Sequence, residues 1–114
     1  YVVLLDKVVV NIKASEGSSS NPMVAVRLYF EVTSVEAAVE MKDREKEMRD
    51  LAQRVLETFT YDQIIMASGK KAFKEGLRKE MSAILNNGLV KNVFIDEILL
   101  KIDESKLSKS AILS

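Results

Sequence analysis

The stretch "MVAVRLYFEVT", residues 23 to 33, alternates throughout: Val24, Val26, Leu28, Phe30 and Val32 share one parity, with Arg27 and Glu31 on the other. Side chains of a strand point to opposite faces with a period of two, so this segment offers one face to a core and one to water. Such a strand belongs in an antiparallel sheet covered on one side. It therefore needs neighbours to pair with and another layer to cover its apolar face.

Neighbours are available near both ends of the chain. Residues 2 to 13, "VVLLDKVVVNIK", are apolar and β-branched without a helical period, which predicts a strand. Residues 14 to 22, "ASEGSSSNP", gather Ser, Gly, Asn and the only Pro, and so form the loop of a long hairpin. Residues 89 to 102, "LVKNVFIDEILLKI", return to strand composition with apolar residues on both parities. That pattern implies cover on both faces or a bulge.

The cover comes from between them. Ser34 is placed to cap a helix, with Glu36 in its first turn. No Gly or Pro interrupts residues 35 to 59, so one helix of ~38 Å is expected. Glu40–Arg44, Glu45–Arg49 and Asp50–Arg54 each put the acid four residues before the base, the favourable order. Met48, Leu51, Ala52, Val55 and Phe59 form its apolar stripe, whereas "KDREKE" at 42 to 47 has no face suited to burial. A second helix, residues 69 to 86, sets Phe73, Leu77, Met81, Ile84 and Leu85 at helical spacing, with Gly76 near that face. Asn87-Gly88 should end it, with Gly88 as a left-handed C-terminal cap. The expected order is β-β-α-α-β, an α+β two-layer domain with a mainly antiparallel sheet covered by two main helices. Residues 1–103 form the globular domain and 104–114 a loosely ordered tail.

Chemistry is constrained mostly by what is missing. The chain has no His, no Cys and no Trp, which removes Ser-His-Asp triads, cysteine nucleophiles and zinc sites built on His or Cys. Its 17 basic and 17 acidic residues cancel, so it lacks the basic footprint of a nucleic-acid binder. The apolar runs are far shorter than the ~18 residues of a membrane span.

One stretch invites a catalytic reading: "FTYDQIIMASGKKAF", residues 59 to 73. A phosphate loop needs a Gly five positions before the Gly-Lys pair, and Ile64 stands there; Lys71 replaces the Ser or Thr that would hold magnesium. Acid-base work by Asp62 with Tyr61 needs a partner that the sequence does not supply. Caps explain the same residues: Thr60 starts the turn "YDQI", Phe59 and Ile64 staple it, and Ser68 caps the second helix. We therefore expect no catalytic, cofactor or metal site here. Lys70, Lys71, Lys74, Arg78 and Lys79 give the second helix a basic face, expected to be solvated because its apolar stripe must cover the sheet.

Several segments, in order, resemble the periplasmic domain of the FliL family of flagellar basal-body-associated proteins. "LDKVVVNI" is similar to that family's opening strand, and "RDLAQRVLETFTYDQI" to its Arg-Asp pair, apolar turn and Thr-x-Asp-x-Ile-like corner. "SGKKAFKEGLRKEMSAILNNGLVKNVFIDEILL" follows its Gly-Lys, helix, Asn and final-strand pattern. Ile98 stands where the family often has an aromatic and Lys101 where Gln is common. The resemblance implies a stomatin-like fold and a single-span inner-membrane protein, anchored by a segment before Tyr1, with this domain in the periplasm. It also implies association with flagellar stator proteins and assembly with itself into a ring. On that basis Arg44, Glu45, Arg49 and Asp50 are the expected interface charges. The alternative is a stomatin-like scaffold that organises membrane without a flagellar role.

Overall fold

The strand Met23–Val32 (β2) is the middle of a three-stranded antiparallel sheet, flanked by Val2–Asn11 (β1) and Val90–Lys101 (β3). The computed structural model describes residues 1–15, 17 and 21–101. The expected tail, 104–114, lies outside the described residues. All five apolar residues of the alternating face of β2 are buried, none more than 3% exposed. Four helices lie between β2 and β3: Val35–Asp43 (α1), Glu45–Leu56 (α2), Tyr61–Ile65 (α3) and Ala67–Ile84 (α4). They cover that face, closing one core with Phe30, Met48, Leu56, Ile64, Phe73, Leu77 and Met81 at its centre. The α+β two-layer expectation holds.

The sheet explains why β1 lacked a clean alternation. Val3 and Leu5 are buried on one parity, then Val8 and Val10 on the other. The register jumps from Leu5↔Leu28 to Val8↔Val26, so Asp6 and Lys7 together face a single residue, Arg27. The mixed parity of β3 has the same cause. Its register passes from Ile95↔Leu28 to Glu97↔Arg27, leaving Asp96 as an extra residue. Bulges therefore flank Arg27 on both sides, and each bends its strand. Arg27 reaches both, Nε to Asp6 Oδ1 at 3.2 Å and Nη1 to Asp96 Oδ2 at 3.6 Å. Asp6, by its hydrogen bond and its charge, holds the guanidinium above its ordinary pKa.

Lys7 takes φ +38°, a left-handed conformation that costs a side chain roughly 1 kcal/mol. Lys7→Gly should therefore raise stability by about 0.5 kcal/mol after the extra freedom gained by the unfolded chain. A urea melt checks it, and a clear loss of stability would contradict it.

The single helix expected over 35–59 is two. Arg44 departs from helical geometry (φ −105°, ψ 31°) and separates α1 from α2, which ends at Leu56. Arg44 N–H donates to Glu40 O and Met48 N–H to Arg44 O, so the same residue closes the last turn of α1 and opens the first turn of α2. Tertiary contacts described below override a local sequence with no breaker in it. The second expected helix begins two residues earlier and ends two earlier than predicted. Its C-terminal cap is Leu85, already extended, so Gly88 is not the left-handed cap. Gly88 is small for another reason: a Cβ there would lie 2.8 Å from both Ala37 Cβ and Thr33 Oγ1.

Candidate interaction surfaces

The corner that suggested catalysis is filled by capping and packing. Thr60 and Gln63 form a reciprocal capping box: Thr60 Oγ1 accepts from Gln63 N–H at 3.1 Å, and Gln63 Oε1 from Thr60 N–H at 2.9 Å. The N–H groups of Tyr61 and Asp62 donate to Lys13 O and Ala14 O, tying α3 to the chain just beyond β1. Phe59 packs edge-to-face on Phe73, centroids 5.8 Å apart, over buried Ile64. Ser68 does not cap α4, because that helix already starts at Ala67, with Met66 at the cap position and no side-chain cap bond. Gly69 passes so close to Gln63 that a Cβ would lie 1.7 Å from its carbonyl oxygen. Among the described residues, no group of three or more His, Cys, Asp or Glu is placed to hold a metal ion.

Glu40 was visible in the sequence only as half of a surface pair. In the fold it is buried, and its carboxylate accepts from five donors, four of them at the far end of α4. These are Asn86 N–H and Nδ2, Asn87 N–H and Nδ2, and Arg44 Nη1 at 2.7 Å. Burial works against its charge, but the Asn86 and Asn87 amides and then Arg44 outweigh it, leaving its pKa below the ordinary value. Arg44 also donates to Ile84 O at 2.7 Å and pairs with Glu47 at 2.7 Å. The hydrogen bonds to Glu47 and Glu40 raise its own pKa. A clue existed in the sequence: two adjacent asparagines after a helix bring amide donors that need an acceptor.

The other charges proposed for contact divide by role. Arg49 donates Nη2 to Asp6 O at 3.1 Å and lies 3.6 Å from Glu45, so it is partly occupied within the chain. Glu45 is half-buried and Asp50 is exposed. Asp50 and Arg54 make no bridge within 4.0 Å, unlike the other two pairs of that spacing. Ser34 accepts from Ala37 N–H at 3.1 Å and donates to Asn87 O at 2.9 Å, so it caps α1 and holds the α4–β3 turn together.

Among the described residues, nothing covers the face of the sheet turned away from the helices. Leu4, Tyr29 and Phe94 stand side by side across all three strands, with Leu4 38% and Phe94 49% exposed. On the other side of the Arg27 cluster a second row runs Val9, Ala25 and Leu99, of which Leu99 is exposed, Val9 half-buried and Ala25 buried. Contiguous apolar surface of this kind on a small domain marks a place where something else packs.

The described residues thus make an α+β domain with a filled corner, an internal carboxylate clamp and a partly apolar sheet face that they leave bare. Sequence comparison gives its family. The family model described as flagellar basal body-associated protein FliL matches residues 1–100, and the chain belongs to that family. It is thus a flagellar basal-body accessory protein, in a family not known for enzymes. No curated protein matches the chain. No helix among the described residues is long and apolar enough to cross a membrane.

Proposed function

We propose that the chain is a non-catalytic scaffold of the flagellar motor that assembles with itself around stator units and supports their torque-generating state. Family membership carries this reading, and the uncovered row Leu4, Tyr29 and Phe94 supports it by offering contact area. The domain, residues 1–103, stands in the periplasm on a single inner-membrane anchor that precedes Tyr1. Glu45, Arg49 and Asp50 set register against a neighbour or a stator, while Arg44 acts from behind by fixing the angle of α2.

Exposed ion pairs contribute at most about 1 kcal/mol each, so contacts of this kind are weak for free chains. Tethering to one membrane raises the effective concentration and favours assembly. Light scattering of the isolated domain should therefore give a monomer or small oligomer; a stable large ring without an anchor would contradict the proposal.

Photo-crosslinking from positions 45, 50 and 94 in cells tests the surface, with stator subunits and other copies of the chain as the expected products. Phe94→Lys should leave the melting temperature within about 2 °C of the parent while reducing swimming. A deletion strain that swims normally under both light and heavy load would overturn the proposal.

A further inference from the structure

The two edges of the sheet are finished differently. Along β1, Gln53 Nε2 donates to Val9 O at 3.0 Å and Arg49 Nη2 to Asp6 O, so side chains of α2 close that edge. Along β3, only the first residue is engaged, where Ser82 Oγ accepts from Val90 N–H at 3.0 Å. Among the described residues, no hydrogen bond from outside the sheet reaches β3 beyond that point. An edge strand keeps about half its backbone groups unpaired, and these can pair with an incoming segment. A groove of about 300 Å³ runs beside this open stretch, between β3 and the first half of α4. Ile65, Ile95 and Ile98 give it an apolar floor, Lys70 and Lys74 line the helix side, and Asp96 and Glu97 the strand side.

We infer that this groove receives a short, extended, acidic peptide segment of a partner protein, added as a strand to the edge of β3. Lys70 and Lys74 lie one helical turn apart, so their stems emerge roughly 5–6 Å from each other. Alternate side chains of an extended segment are spaced by roughly 6.5 Å, so two carboxylates in an acid-x-acid arrangement match the two lysines. Neither lysine has a carboxylate within 4.0 Å among the described residues. Asp96, by contrast, already pairs with Arg27. An apolar residue two places before the acids reaches the isoleucine floor. A second copy of β3 fits less well, because antiparallel pairing about the groove sets its Asp96 and Glu97 against the same residues here. The bulge at Asp96 also breaks the edge, which suits a short segment and opposes open-ended growth. The inference rests on the groove and edge alone and is independent of the flagellar role.

The probe is the blocked peptide Thr-Val-Thr-Glu-Thr-Glu-Thr, with a counterpart carrying Lys in place of both Glu residues. Fluorescence anisotropy at low salt should give saturable binding of the acidic peptide. The basic peptide should bind at least tenfold more weakly, as should the acidic one to a Lys70→Glu, Lys74→Glu double variant whose thermal melt shows it folded. Bound peptide should slow amide hydrogen exchange between Val93 and Leu100. Equal binding of both peptides, protection elsewhere, or no saturation at millimolar peptide would overturn the inference. A concentration-dependent dimer protecting the same amides without peptide would overturn it in favour of a second copy.

Discussion

Gly69→Ala should cost about 3 kcal/mol, at the upper end for an inserted methyl, and lower the melting temperature by roughly 10 °C. The added Cβ would lie 1.7 Å from Gln63 O and 2.5 Å from Gln63 C. These are backbone atoms of a helix pinned by its capping box and by its bonds to Lys13 and Ala14, so they cannot swing aside as a flexible side chain would. Relief requires α3 and α4 to part, which loosens Phe73 from Phe59 and Ile64. Gly76→Ala, in the same helix, is the control. Its nearest atom would be Val55 Cγ1 at an ordinary 3.9 Å. That variant should gain about 0.5–1 kcal/mol, because Ala is the better helix former. The two substitutions should thus move stability in opposite directions. Equal, near-neutral effects in a denaturant series would show that the α3–α4 corner is not tight.

Glu40→Gln should lower the melting temperature at neutral pH by on the order of 10 °C, because it removes the charge from a buried acceptor with five donors. Its amide would also turn an N–H group toward the backbone N–H groups of Asn86 and Asn87, which cannot accept. Acid should reproduce part of the loss in the parent protein. The folded pKa of Glu40 is lowered, so the folded state binds its proton less readily than the unfolded chain does. The stabilisation is present in full above the ordinary glutamate value of 4.5 and is lost as pH falls below it through the folded value. Glu47 and Glu75 have lowered values too, held by hydrogen bonds from Arg44 and Arg78, but both are exposed and contribute less. Melting temperatures between pH 3 and 8 should fall more steeply in acid for the parent than for the variant. Superimposable curves would remove Glu40 from its role as a clamp.

Both residues mark where the sequence stops being legible. The layers and strands were readable because β2 and α4 bury one face at a fixed period, and period survives without tertiary information. Thr60 was readable as a local start signal for the same reason, since a cap is completed within four residues, although its reciprocal partner Gln63 was not singled out from the sequence. Glu40 was not, because four of its five donors lie more than 40 residues away along the chain and only folding brings them near. The break at Arg44 escaped likewise: Ile84 O, which that side chain satisfies, belongs to another helix. Ser68 and Gly88 were misassigned by assuming the usual residue at the usual place. Met66 occupies the cap position without a side-chain cap bond, and Gly88 lies three residues past the cap Leu85, where its φ of +157° and the closeness of Ala37 and Thr33 both favour glycine. The bulges hid in plain view as a change of parity at "LDKV" and "FIDE".

The position of β2 in the middle of the sheet has a consequence in time. Its first partner, β1, precedes it and can pair as soon as the hairpin loop closes. Its second, β3, arrives only after four helices have been made. At ordinary synthesis rates that interval lasts seconds. Throughout it, the most apolar strand of the protein has an open flank, and closing the sheet requires contact across a long stretch of chain. A chain whose β3 has yet to emerge therefore holds a hairpin and helices without a finished sheet, the stage at which this protein is most exposed to chaperones, proteases and its own neighbours.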